Sequence, residues 1–300
     1  MTTRASSPRV QRSVERRARP AVAPGVEPGV EPRGAPGVDP ALEAGLARLA
    51  VKAPASLAAA TLVAVGLADR YAELPSPIGS IVVAWNGRGI SWVDRADDLA
   101  DFERRFAQRV GRPLAAADAV PADLVRAVTA RLAGNRRVRV PLDLRGRTEF
   151  EVAVWMKALE IPRGEVRPYG WIAAEIGRPR AVRAVGTALA HNPVPLVVPC
   201  HRVVRSDGSI GQYSLGGPAA KRAVLAAEGL DPDELEAGAR SGLRYLGSDS
   251  THVVCLPSCH NARRITPRHR VPFRSLADAA AAGYRACREC RPASGATLAA

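Results

Sequence analysis

The chain has 300 residues, enough for two or three domains of roughly 100–200 residues each. Hydrophobic residues make up 47% of it, so an ordinary core can be buried. The formal net charge is +14 and comes almost wholly from arginine, because lysine occurs only at Lys52, Lys157 and Lys221. That balance suits a polyanionic partner, although an arginine-rich composition produces it equally well. The uncharged stretch Ala53 to Ala68 is shorter than the roughly 20 apolar residues that cross a bilayer, and Pro54 and Gly66 interrupt it. Arg4, Arg9, Arg12, Arg16, Arg17 and Arg19 occupy the place where a signal peptide needs an apolar core. The expected compartment is the cytoplasm, where thiols stay reduced. Five cysteines there call for a chemical explanation other than disulfides.

Residues 1–40 place Pro20, Pro24, Pro28, Pro32, Pro36 and Pro40 at every fourth position, which removes backbone donors and predicts a disordered, proline-rich tail. Residues 41–72 are rich in Ala and Leu and read as a helical lead segment. A small α/β subdomain is expected over 73–148. Ile81–Trp85 and Ile90–Val93 read as strands joined by a turn at Asn86-Gly87. Helices follow from Leu99 through Phe106 and over Ala122–Leu132, with a strand-like Val138–Leu142 after them.

Residues 149–232 are mainly helical. Phe150, Val154, Trp155 and Ala158 recur at helical spacing. Short helices at Tyr169–Ile176 and Arg180–His191 flank the breaker Gly177-Arg178-Pro179. Such a pair suits helix-turn-helix DNA binding or plain packing. In Val197-Val198-Pro199-Cys200-His201-Arg202, a thiol ends an apolar, strand-like run. His201 beside it can act as base, directly or through water, with Arg202 adding positive charge. An isolated Cys-His pair is also compatible with a small buried side chain. Residues 233–246 read as a polar linker. The remaining cysteines, Cys255, Cys259, Cys287 and Cys290, follow the spacing C-x3-C-x27-C-x2-C over 247–292. Two close pairs suit a tetrahedral Zn2+ site, against the alternatives of disulfides or four unrelated thiols.

The stretch from Glu149 to Leu230 resembles the O6-alkylguanine-DNA alkyltransferase family. Pro199-Cys200-His201-Arg202-Val203 matches its active-site signature and Asn192-Pro193-Val194-Pro195 the segment leading into it. Arg180–Val185 matches the DNA-binding helix, and Gly211-Gln212-Tyr213-Ser214 and Glu228-Gly229 the lid and final helix. The resemblance implies an α+β chain: a small α/β N-terminal subdomain, a mainly helical alkyltransferase domain with a helix-turn-helix, and a small C-terminal zinc module. It implies that double-stranded DNA carrying O6-alkylguanine is the partner, and that Cys200 takes the alkyl group irreversibly. His201 would relay the proton, Glu228 would hold His201, and Asn192 would fix the active-site turn. Tyr169 would turn the target phosphate and help protonate the leaving guanine. Arg183 would fill the stack left by the flipped nucleotide, with Arg180, Ala181 and Ala184 at the groove and Tyr213 and Ser214 over the extruded base. No organic cofactor, no membrane and a monomeric state are expected.

Cys255–Cys259, Arg263-Arg264 and Ala281–Pro292 resemble the zinc module of Ada-type adaptive-response proteins. That resemblance implies that Cys255 also accepts a methyl group from phosphotriesters, with Arg263, Arg264, Arg268, Arg270 and Arg274 on phosphates. Methylation would lower the negative charge of the thiolate site and tighten DNA binding. Here the module follows the alkyltransferase segment instead of preceding it, which sets an Ada-type methylation-sensing regulator behind repair. A non-catalytic lesion-binding protein is also disfavoured, because Cys200, His201 and Glu228 are all present.

Overall fold

The structure, a computed structural model, describes residues 55–292 together with Ala41 and Gly45. The chain divides into two compact units, 1–52 and 53–300. In the first, Ala41 and Gly45 are helical, and the expected tail 1–40 lies outside the described residues. The second unit is a mixed α/β body. No helix among the described residues is long and apolar enough to cross a membrane.

After helix α1 (Ala55–Ala64) come strands β1 (Asp69–Ser76), β2 (Gly79–Asn86) and β3 (Gly89–Arg95), helix α2 (Leu99–Val110), strand β4 (Leu114–Ala116) and helix α3 (Ala122–Leu132). The sheet order is β3-β2-β1-β4, antiparallel except for β4 beside β1. Alternation along β2 sends Ile81, Val83 and Trp85 into the main core, and Val82 and Ala84 against Phe102 and Phe106 of α2. Both faces are therefore covered.

Three local expectations change here. β1 crosses the 72/73 boundary, because Tyr71, Ala72 and Leu74 are buried in a broken alternation that resembles neither a helix nor a strand. The turn centres on Gly87-Arg88, one residue later than expected. Asn86 is held in the sheet by its amide, which donates to Asp69 at 2.9 Å and Asp143 at 2.8 Å. A Cβ on Gly87 would lie 1.8 Å from the Ala64 carbonyl oxygen, so only glycine fits under α1. Val138–Leu142 is not a strand. Pro141 has no N–H to pair, and its carbonyl accepts the Ile90 N–H at 2.9 Å beside an isolated Ile90–Leu142 bridge.

Helix α4 (Glu149–Ala158) opens with a capping box between Thr148 and Glu151. Strand β5 (Arg167–Pro168) leads into α5 (Tyr169–Glu175). Gly177 then takes a left-handed conformation and closes α5 through Gly177 N–H to Ala174 O and Arg178 N–H to Ala173 O. Helix α6 (Val182–Ala190) follows, and β6 (Val203–Val204) pairs parallel with β5. One continuous core joins the first sheet to these helices and includes Val83, Trp85, Val154, Trp155, Ile172, Val185 and Cys200.

Helix α7 (Gly217–Ala227) is followed by α8 (Pro232–Arg240), which replaces the expected linker over 233–246. Asp231 caps α8 and Pro232 fits its first turn; none of its residues is fully buried, and Leu235 packs partly against Val166, Val204, Ile210 and Leu225. Arg222 of α7 holds it through Asp233 and Glu236. The C-terminal sheet β10-β8-β7-β9 comprises β7 (Tyr245–Ser248), β8 (Val253–Cys255), β9 (Arg270–Phe273) and β10 (Arg285–Ala286). Helices α9 (His260–Arg263) and α10 (Leu276–Ala281) flank it.

Candidate active site and metal centre

The segment before Cys200 is not a strand. Leu196 adopts a φ of +71°, the Val198 N–H returns to Val194 O at 2.9 Å, and Cys200 opens a short 3-10 turn, Cys200–Arg202. Asn192 organises this loop. Its amide accepts the Val194 N–H at 3.1 Å and donates to Val198 O at 3.1 Å and to Cys200 Sγ at 3.2 Å. Burial pushes the Cys200 thiol up. The Asn192 amide, the Lys221 charge and Ser214 oppose that rise without cancelling it.

His201 is fully buried and does not hydrogen-bond Cys200 in this structure. Its Nε2 meets Glu228 Oε1 at 3.0 Å, while its Nδ1 has no partner. Burial alone would raise the Glu228 carboxyl, but hydrogen bonds from His201 and Arg202, together with their charge, hold it down to about 2. An ionised carboxylate can only accept, so Nε2 carries the proton and Nδ1 keeps a free lone pair. Burial lowers the His201 pKa and favours this neutral form.

Arg202 does not supply its charge to the thiol, as the sequence suggested. Its Nε and Nη2 grip Glu228 at 2.9 and 2.6 Å, and its Nη1 donates to Ile161 O at 2.7 Å. The cation closest in chemistry to Cys200 is Lys221, which sequence reasoning missed. It is wholly buried, donates to Val203 O at 2.5 Å, and is lowered by burial to about 8. Its position three and four residues before Val224 and Leu225, on the buried face of α7, was the available signal.

The cavity at Cys200 is lined by Tyr169, Gly186, Leu189, Ala190, Gln212, Tyr213 and Ser214. It thus brings together Tyr169 and the adjacent pair Tyr213-Ser214 from two separate segments. The Tyr213 ring meets His201 edge-on at 6.0 Å. Burial, then the neighbouring Cys200, raises the Tyr169 phenol, so its O–H remains available to donate. Arg180, Arg183 and Ala184 are exposed and Ala181 is half-buried at the start of α6. Ala188, on the same helix, instead packs in the core.

The sulfurs of Cys255, Cys259, Cys287 and Cys290 all lie within 4.8 Å of one another, and all four residues are buried without a disulfide. Leu256 N–H donates to Cys290 Sγ at 3.3 Å, and the Asn261 amide to Cys287 Sγ at 3.6 Å. Tetrahedral ligation at about 2.3 Å from Zn2+ puts sulfurs about 3.8 Å apart, which this cluster accommodates. Such donors to sulfur stabilise thiolates, so the residues present fit Zn2+. Beside the cluster, a cavity is lined by Cys255, Cys287, Arg264, His269, Arg285 and Arg288, among others. Arg263, Arg264, Arg268, Arg270 and Arg274 are all exposed.

Comparison with known proteins finds family matches to the two segments that hold these residues. The family described as 6-O-methylguanine DNA methyltransferase, DNA binding domain, matches residues 149–230, and the metal binding domain of Ada matches 238–293. The methylated-DNA–protein-cysteine methyltransferase of Mycobacterium bovis is 38% identical over 159 residues, covering 53% of this chain and 91% of that protein. The chain belongs to the methylated-DNA–protein-cysteine methyltransferase family. Escherichia coli Ada, a bifunctional transcriptional activator and DNA repair enzyme, is 42% identical over 158 residues, covering 50% of this chain and 43% of Ada. The chain therefore spans less than half of Ada. A crystal structure of Mycobacterium tuberculosis OGT in complex with DNA aligns over 55% of this chain and 98% of that one, at 36% identity and a TM-score of 0.45. In this methyltransferase the metal-binding match begins inside α8, ahead of the expected module start at 247.

Proposed function

We propose that this methyltransferase repairs DNA by taking the alkyl group of O6-alkylguanine onto Cys200, once per molecule. The observation that carries the reading is the buried thiol held by Asn192, next to a neutral histidine whose free Nδ1 faces no protein partner. The Cys200 proton passes to His201 Nδ1 through a water, and Glu228 stabilises the imidazolium formed. Sγ attacks the alkyl carbon, the S–C bond forms, and the C–O6 bond breaks with its electron pair staying on guanine. The Tyr169 O–H donates to the departing guanine, and the tyrosinate is reprotonated from solvent. A thioether has no ready leaving group, so Cys200 is consumed.

The lesion base must leave the stack to reach a residue as buried as Cys200, at a cost of a few kcal/mol. Exposed Arg183 on α6 suits filling the gap, and α5 and α6 suit a helix-turn-helix with Arg180, Ala181 and Ala184 at the groove. Tyr213 and Ser214 cover the extruded base. Residues 69–144 form the supporting subdomain, 149–230 the transfer domain and 238–292 the zinc module. The cytoplasm, which keeps all five thiols reduced, suits both sites.

A second acceptor reading, transfer from methylphosphotriesters to Cys255, is favoured by the arginine-lined cavity beside that sulfur. Duplexes labelled in the methyl of O6-methylguanine or of a phosphotriester, followed by peptide mass mapping, test both. The first should label Cys200 and the second Cys255. Unlabelled Cys200 after reaction with the guanine lesion overturns the main reading.

A further inference from the structure

The zinc-binding module meets the transfer domain along residues 165–171, with further contacts at Glu160, Glu175 and Asp207. Ser258, inside the Cys255–Cys259 loop, accepts the Val166 N–H at 2.9 Å and donates its hydroxyl to Val166 O at 3.2 Å. Both backbone polar groups of a buried residue are thus satisfied by a side chain 92 positions away. Glu165 Oε1 accepts the His260 N–H at 3.0 Å. The Trp171 indole donates to Cys290 O at 3.0 Å, and the Arg167 and Arg291 guanidinium groups lie over its ring at 5.7 and 5.4 Å. Arg291 continues to Glu175 at 2.9 Å. The contacts at 165–171 therefore come from Cys290, the Arg291 that follows it, and the residues on either side of Cys259.

This stretch leads straight to the reacting thiol. Val166 precedes β5, and β5 pairs with β6, which begins at Val203 immediately after the Cys200–Arg202 turn. The next residue after β5 is Tyr169, which lines the Cys200 cavity. Only Val166, Arg167 and Pro168 separate the seam residue Glu165 from that tyrosine. A small four-cysteine module holds its shape through its metal, so its contacts are only as firm as its ligation.

We infer that the metal module is a positioning element for alkyl transfer: Ser258 and the Cys290 carbonyl clamp residues 166–171 and thereby set Tyr169 and the Cys200 turn. Ser258 and Trp171 are positioning residues that touch neither lesion nor sulfur. The inference rests on the proposed transfer to Cys200. It predicts that alkyl transfer depends on a metal that takes no part in the chemistry, because small displacements of a positioned group slow reactions strongly.

The test uses the full zinc-loaded chain. The Ser258→Ala/Trp171→Phe double variant is compared with Ser258→Thr, which keeps the hydroxyl. Three quantities are read: zinc content, amide hydrogen exchange over 166–171 and 203–204, and the single-turnover rate with an O6-methylguanine duplex. The double variant should keep its zinc, exchange faster over both segments, and transfer about tenfold more slowly. Ser258→Thr should transfer at close to the unmodified rate. Chelation of the unmodified chain should reproduce the slower transfer and the faster exchange. Chelation should add little to the double variant, whose clamp is already gone. An unchanged transfer rate in either the double variant or the chelated chain overturns the inference. If the unmodified protein transfers nothing, the proposed function fails instead, and the exchange measurement still decides whether the clamp exists.

Discussion

Cysteine appears in this chain in two settings, and the contrast separates reactivity from ligation. Cys200 is a single thiol among apolar neighbours, with one amide donor on its sulfur and one imidazole next in sequence. Its burial favours the neutral thiol, so the thiolate must be made at the moment of transfer by a base that is itself kept neutral. The four C-terminal sulfurs converge on each other instead, in the arrangement that a shared cation requires. A lone thiol with a waiting lone pair is a nucleophile; four facing thiols form a cage. The difference lies in the neighbours and not in the side chain.

Substitution at sulfur breaks the comparison most sharply. Cys200→Ser should abolish transfer from O6-methylguanine while zinc content stays full, read by intact mass and metal analysis. Cys290→Ser should do the opposite, losing zinc while leaving Cys200 a slower acceptor. Methyl label on Cys200→Ser protein from the guanine lesion would show that the acceptor lies elsewhere.

Removing the base comes next. His201→Gln should slow single-turnover transfer about 10²–10⁴-fold, the usual contribution of a positioned proton acceptor, with the zinc site intact. A rate within a factor of two of the unmodified chain would exclude His201 as the base.

Glu228→Gln leaves the buried Arg202 guanidinium without its countercharge, which should cost about 3–5 kcal/mol of stability in urea unfolding. The pH dependence has a defined sign. Glu228 is held down to about 2, so the stability it contributes is complete above its ordinary 4.5 and disappears as pH falls through about 2. His201 is lowered from 6.5, so transfer should stay flat through the ordinary imidazole range and decline only at more acidic pH. A midpoint at or above 6.5 in the rate profile would contradict the burial argument. The smallest effect serves as a control away from both sulfur sites. Thr148→Ala should cost about 1 kcal/mol through loss of the α4 capping box, with zinc content unchanged.

Much of the chemistry was legible along the chain. Cys200 and His201 are adjacent, and the C-x3-C-x27-C-x2-C spacing brings two pairs of ligands close before any folding is considered. The hairpin, α2, α3 and the α5–α6 pair were also visible, because turn residues and apolar periodicity are local signals. Helix α8 was not, since charged and small residues dominate Pro232–Arg240 and none of them is buried.

What the sequence determined by itself was which atoms can react or ligate, because thiol, imidazole and carboxylate chemistry belongs to the residue. What the tertiary structure alone decided was who faces whom. Arg202 turns from Cys200 to Glu228, Lys221 is buried beneath the active-site loop, and Ser258 and Trp171 join the two modules. Each of these follows from buried polar groups having to find partners wherever packing places them, and that requirement has no signature in the order of residues.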